Sequence, residues 1–158
     1  MAASEDASQT HDTGTQGEIS LVVGVGYSAG GLEAAKELFR YVPESPGMAF
    51  VVVAHLDPDA SSNLTAILSQ VSELRGVTIA DDMKLEADTI YAAPPGKDVE
   101  LFNGVLHLFD VEHGSPRATI DRFFRSLARD QRNRAVGVVL SGMGSDGNRG
   151  IAAMKEKG

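Results

Sequence analysis

The chain has 158 residues, 42% of them hydrophobic, which is enough for one domain with a well-buried core. It contains no cysteine, so disulfides, thiolate metal sites and a cysteine nucleophile are excluded, and its net charge of −8 argues against a general nucleic-acid-binding protein. No apolar stretch approaches the ~20 residues of a membrane span and the N-terminus lacks a signal peptide, so we expect a cytoplasmic protein without membrane insertion.

The N-terminal residues differ in character from the rest of the chain. Residues 1–17 are polar and lack periodicity, which predicts a disordered leader, followed by a folded domain over 18–158. Residues 19–25 are apolar and rich in β-branched side chains, which is typical of a strand buried on both faces. Residues 32–41 then repeat apolar side chains at helical spacing, which predicts a helix.

The later segments continue to alternate between strand-like and helix-like patterns. In chain order they predict a strand over 48–54, a helix from Ser61 or Ser62 to Val71, strands over 77–80 and 89–93, a hairpin of 99–102 and 105–109 turning at Asn103-Gly104, a helix over 119–129, a strand over 135–140 and a helix over 150–156. This order predicts an α/β fold: a doubly wound, mostly parallel sheet with helices on both faces and a β-hairpin insertion. Because such a sheet normally continues with another strand, we expect the domain to be truncated at its C-terminus.

Three polar residues each follow a predicted strand. Ser28 follows the first strand, His55 the second and Asp146 the strand over 135–140. Functional groups collect beyond the carboxyl ends of parallel strands, so we expect these side chains at one edge. A serine hydroxyl needs a neighbouring base, and an imidazole oriented by a carboxylate is such a base. The pattern therefore predicts a serine hydrolase with Ser28 as nucleophile, His55 as base and Asp146 as the orienting acid.

Other interpretations of the same residues remain open. Residues 26–30 match the G-x-S-x-G pattern of a nucleophile elbow, but Ser28 could instead cap the first helix. His55 could make a structural hydrogen bond, and Asp146 could be a turn residue before Gly147. Asp57 and Asp59 are rival candidates for the acid because they lie close to His55 in sequence.

A hydrolase of this kind also needs backbone N–H donors for the oxyanion. The glycine-rich residues 142–147 could supply them, with Met143 as the first choice, and Ala29 with Gly30 as a second source.

The first strand–helix junction also fits a dinucleotide-binding fingerprint, G-x-G-x-x-A, at Gly24, Gly26 and Ala29. That motif expects an acidic residue at the end of the second strand, where this chain has His55, so nucleotide binding is the weaker hypothesis.

Several segments together resemble the catalytic domain of the CheB-type chemotaxis methylesterases. They are, in chain order, VGYSAGG (25–31), VAHL (53–56), YAAPPG (91–96), IDRFFRSLA (120–128) and LSGMGSDG (140–147). The resemblance implies a doubly wound α/β domain that hydrolyses glutamate methyl esters on chemoreceptors and deamidates some receptor glutamines. By motif, it also implies a triad of Ser28, His55 and Asp146, with Met143 at the oxyanion hole and neither a metal nor a cofactor.

The chain departs from the family pattern in two ways. Ala29 stands where many members have threonine, and, because the leader is short, we expect no receiver domain before the catalytic part. The segment over 121–128 looks closest to domains fused to methyltransferase and sensor-kinase modules, so the resemblance implies a methylated chemoreceptor as substrate and such modules as partners. The alternative is a catalytically silent regulatory module of a hybrid sensory protein.

Overall fold

The computed structural model describes residues 17–55, 63–111, 118–140 and 146–158. The predicted leader, apart from Gly17, lies outside these residues. In chain order the elements are β1 Leu21–Tyr27, α1 Leu32–Arg40, β2 Met48–Ala54, α2 Leu64–Ser69, β3 Arg75–Thr78, β4 Met83–Lys84, β5 Thr89–Ala92, β6 Lys97–Phe102, β7 Val105–Asp110, α3 Thr119–Gln131, a 3₁₀ turn Arg132–Arg134, β8 Ala135–Val139 and α4 Asn148–Lys157.

The main sheet has five strands in the order β3-β5-β2-β1-β8, and every pairing in it is parallel. Strands β1 and β2 lie inside this sheet and are almost continuously buried, which explains their unbroken apolar sequences. Parallel strands place their carboxyl ends at one edge, so the residues after β1, β2 and β8 are brought to the same side of the molecule.

Helices pack on both faces of the sheet. On one face, α1 and α2 bury Phe39 and Leu68 against β1 and β2. On the other face, α3 buries Phe123 and Leu127 against the alternate residues of the same strands, and α4 contributes the partly buried Ile151. The prediction of a doubly wound, mostly parallel α/β fold is therefore confirmed. Among the described residues, no helix combines the length and apolar composition that crossing a bilayer requires.

The predicted hairpin is part of a second, smaller sheet. Strands β6 and β7 pair antiparallel around Asn103 and Gly104, whose φ angles of 51° and 73° are the positive values that this two-residue turn requires. Strand β4, which the sequence analysis did not predict, pairs with β7 and gives the order β4-β7-β6. The carboxylate of Asp130, near the end of α3, accepts hydrogen bonds from the amides of both turn residues, which ties the hairpin to that helix.

Several predicted boundaries, that of β1 among them, were wrong by about two residues, and two of them show why. Helix α2 begins after Asn63, whose side chain accepts a hydrogen bond from the Ala66 amide at 3.3 Å, rather than after a serine cap. Strand β3 lies two residues earlier than predicted, because its register with β5 pairs Arg75 with Thr89. These ends depend on tertiary pairing, which the local pattern does not reveal.

Helix α3 approaches β1 closely because two glycines leave room for it. A Cβ at Gly24 would lie 2.9 Å from the side chains of Leu127 and Phe124, and one at Gly26 would lie 2.5 Å from Ile120. The glycines of the dinucleotide-like pattern therefore serve helix–sheet packing. The same contact places the N-terminus of α3 beside the carboxyl end of β1.

Candidate active site

Ser28 and His55 follow two paired strands at the same level. The β1–β2 register pairs Tyr27 with Ala54, and the His55 amide continues the pairing by donating to the Tyr27 carbonyl at 3.2 Å. The two residues therefore leave adjacent strands side by side. This is the placement that the strand-end pattern predicted.

Ser28 lies in a tight turn between β1 and α1. Its carbonyl accepts a hydrogen bond from the Gly31 amide at 3.0 Å, and Gly30 has a φ of +90°, which favours glycine. Gly31, not Ser28, is the N-cap residue of α1, and a glycine has no side chain with which to cap the helix. The interpretation of Ser28 as the helix cap is therefore wrong. The half-buried Ser28 is followed by two exposed residues, Ala29 and Gly30.

Asp146 reaches the same edge from the far side of β1. The Leu140 amide donates to the Gly26 carbonyl at 2.9 Å, so the chain is still held beside β1 just after β8 ends. Residues 141–145 lie outside the described residues, and the chain is described again at Asp146. There Asp146 Oδ2 lies 2.5 Å from His55 Nε2, with only 7% and 18% of the respective side chains exposed.

The contact determines which imidazole nitrogen faces the carboxylate. When Nε2 donates its proton to the Asp146 carboxylate, the neutral ring carries its free lone pair on Nδ1. Nδ1 is then the atom that could accept a proton from a neighbouring group. The arrangement combines an oriented base with a serine on the adjacent strand end.

The Asp146 carboxylate is held by more than the histidine. Its Oδ2 accepts a hydrogen bond from the Ile120 amide at 3.0 Å, and its Oδ1 accepts one from the Asp121 amide at 2.8 Å. Both donors belong to the first turn of α3, where amides lack partners within the helix and the helix dipole favours a negative group. The carboxylate therefore caps α3 while it contacts His55.

The sequence analysis missed Asp121. Its side chain is buried, and its Oδ1 accepts hydrogen bonds from the Gly147 amide at 2.9 Å and the Gly150 amide at 2.7 Å. A signal was present in the sequence, because Asp121 is a charged residue on the largely apolar face of α3 that includes Phe124. A carboxylate at such a position requires buried donors.

The remaining predicted site residues divide into two groups. Met143, Asp57 and Asp59 lie outside the described residues. Ala29 lies in the exposed turn beside Ser28.

Two other features of the described residues involve ionisable side chains, the Tyr27 phenol at this edge and a cluster around His107. Burial raises the pKa of the Tyr27 phenol to about 12, so the phenol next to Ser28 stays neutral at physiological pH. Asp81, Asp82 and His107 form a cluster of metal-ligand types among the described residues, but both aspartates are exposed and His107 Nδ1 pairs with Asp82 at 3.0 Å.

Comparisons with known proteins point to one family. The family model described as CheB methylesterase matches residues 23–158. A protein-glutamate methylesterase/protein-glutamine glutaminase of Bordetella avium is 36% identical over 143 residues, and one of Desulfotalea psychrophila is 28% identical over 150 residues. These alignments cover 89% and 90% of this chain but only 42% and 41% of those relatives, so the chain spans about two fifths of their length.

A solved structure shares the fold. The crystal structure of the Thermotoga maritima CheB methylesterase catalytic domain matches with a TM-score of 0.76 and 25% identity. The match covers 88% of this chain and 76% of the other.

Proposed function

Since this chain belongs to the CheB methylesterase family, we propose that it is a serine hydrolase that removes methyl esters from glutamate side chains of chemoreceptors. The observation that carries the proposal is the 2.5 Å contact between Asp146 and His55, next to the turn that holds Ser28. Relatives named protein-glutamate methylesterase/protein-glutamine glutaminase support the choice of substrate class.

In the proposed mechanism, Ser28 Oγ attacks the ester carbonyl while His55 Nδ1 takes the hydroxyl proton. Asp146 holds the ring through Nε2 and stabilises the imidazolium that forms. His55 then returns the proton to the departing methoxy oxygen, which releases methanol and leaves an acyl-enzyme. A water molecule, deprotonated by Nδ1, attacks this ester, and the products are the glutamate carboxylate and free Ser28.

The tetrahedral intermediates need hydrogen-bond donors for their oxyanion. We assign this role to the backbone of the Ala29–Gly30 turn and the N-terminus of α1, whose N-cap residue is Gly31. Met143 stays a prediction as a second donor, by its place in the family motif. The same acyl chemistry, with ammonia as leaving group, would deamidate glutamine.

The wider context of the protein also belongs to this proposal. A methylated chemoreceptor is the proposed partner, and a cytoplasmic location follows from that substrate. Fusion to methyltransferase and sensor-kinase modules stays a prediction from the resemblance.

The experiment measures methanol release from methylated chemoreceptor together with fluorophosphonate labelling of the protein. We expect the parent chain to release methanol and to be labelled at Ser28. Ser28→Ala should abolish both signals, whereas Ser20→Ala, an exposed serine that donates to the Gly47 carbonyl, should keep them. Full activity of the Ser28→Ala variant would contradict the proposal. A folded parent chain with neither methanol release nor label would favour the silent regulatory module.

A further inference from the structure

Two aspartates cap each other's helices beside the candidate active site. Asp146 precedes α4, yet its carboxylate accepts the Ile120 and Asp121 amides of α3. Asp121 belongs to α3, yet its carboxylate accepts the Gly147 and Gly150 amides of α4. The two helices are therefore joined at their N-termini by exchanged carboxylates.

Asp121 contacts the segment at Asp146 through both its backbone and its side chain. Its backbone amide donates to Asp146 Oδ1 at 2.8 Å, and its side chain accepts from Gly147, the residue that follows Asp146, at 2.9 Å. Movement of the Asp146 carboxylate would have to break at least one of these bonds. A side chain that only capped α4 would need the Gly150 bond alone.

Close packing restricts the chain at Asp146 and Gly147. Gly147 has a φ of +101°, and a Cβ there would lie 3.2 Å from the side chains of Ile120 and Val139. The Asp121 side chain is itself buried, with 6% of the residue exposed, so water offers no substitute for its protein donors. Loss of the Asp121 carboxylate would leave two buried amides without an acceptor.

We propose that Asp121 is a positioning residue for this reaction: it fixes the Asp146 carboxylate against His55 Nε2 through the chain at Gly147. This inference rests on the proposed function, because it assigns Asp121 to the same site. Substituting a residue that orients a reacting group without contacting the substrate lowers activity by ~10–100-fold, and we expect an effect of this size for Asp121.

The test compares Asp121→Ala, Asp121→Asn and Asp130→Ala. An asparagine oxygen can still accept the Gly147 and Gly150 hydrogen bonds, so Asp121→Asn should stay within about fivefold of the parent kcat. Asp121→Ala should lower kcat by ~10–100-fold and leave KM nearly unchanged. Asp130 is the matched control, because its carboxylate also lies on α3 and accepts two backbone amides, those of Asn103 and Gly104, away from the site.

A second readout does not depend on turnover. In ¹⁵N-histidine-labelled protein, the Nε2 proton shared with Asp146 should give a downfield NMR signal, assigned by its loss in His55→Gln. Asp121→Ala should lose or shift this signal, whereas Asp121→Asn and Asp130→Ala should keep it. If Asp121→Ala does not fold, Asp121→Glu, which keeps the charge but displaces the acceptor, takes its place in both measurements with the same expected losses.

The outcomes separate the two proposals. A parent chain without methylesterase activity defeats the proposed function, and the NMR comparison alone then decides the role of Asp121. Asp121→Ala, or its Glu replacement, with parental kcat and an unchanged His55 signal would overturn the inference. An Asp121→Asn variant as impaired as Asp121→Ala, or an equal loss in Asp130→Ala, would also overturn it.

Discussion

The N-terminus of α1 differs from those of α3 and α4, although all three lie near the carboxyl edge of the main sheet. Aspartate carboxylates accept the first amides of α3 and α4, and both carboxylates are buried. Helix α1, which follows Ser28, has a glycine, Gly31, as its N-cap residue.

The difference matches what each helix end would do during ester hydrolysis. A helix N-terminus carries about half a positive charge and attracts anions. At α3 this charge holds the Asp146 carboxylate that contacts His55. At α1, whose N-cap residue is a glycine, we propose that the same charge stabilises the oxyanion that would form on the substrate beside Ser28.

Replacing Asp146 removes the carboxylate that caps the N-terminus of α3, and this change has the largest expected effect. Asp146→Asn offers one acceptor oxygen and an NH₂ group where the parent carboxylate accepts from His55 and two α3 amides. The substitution disturbs both the histidine tautomer and the cap of α3, so we expect kcat for methanol release to fall by ~10³–10⁴-fold. Asp130→Asn, the matched change at the hairpin turn, should leave kcat within about twofold. A loss of less than tenfold in Asp146→Asn would remove Asp146 from the proposed triad.

The two positive-φ glycines near these helix ends provide a smaller test. Gly147 at α4 would place a Cβ against Ile120 and Val139, whereas at Gly30, near α1, none of the described residues apart from its chain neighbours lies within 4 Å of that position. Both substitutions to alanine strain the backbone, but only Gly147→Ala adds crowding, and we expect it to lower the free energy of unfolding by about 2–3 kcal/mol.

Gly30→Ala is the control for this pair and should cost about 1 kcal/mol. Urea denaturation followed by circular dichroism measures both values. Equal losses in the two variants would show that backbone strain alone, and not the close packing of α3 against α4, determines the stability of the Asp146 segment.

The placement of the strand-end residues at one edge was predictable from the sequence, because parallel strands place their carboxyl ends at one edge whatever the details of packing. Buried strands such as β1 and β2 show themselves as unbroken apolar runs, and Ser28 and His55 follow them directly. The Asn103-Gly104 turn was equally clear, since few residue pairs tolerate two positive φ values.

The role of Asp121 was not predicted, because its partners are amides of another helix 26 and 29 residues away. Helical periodicity assigns the face on which a side chain lies but not the donors that it meets there. The same limit applies to β4, whose two residues, Met83 and Lys84, form a strand only by pairing with β7. In each case the missing information is a tertiary contact.

The substitution with the smallest expected effect tests the N-terminus of α1 as the proposed site of the oxyanion. Ala29→Asp places a carboxylate in the exposed turn next to Ser28, where it would compete with the oxyanion for the same positive helix end. In an exposed position this repulsion is worth about 1 kcal/mol, so fluorophosphonate labelling of Ser28 should slow by roughly fivefold at low salt and recover in part at high salt. Ala29→Asn, of nearly equal size but neutral, should label at close to the parental rate. Equal slowing in both variants, or none in either, would show that the α1 terminus does not stabilise the developing charge, and the oxyanion donors would then have to lie elsewhere in the site.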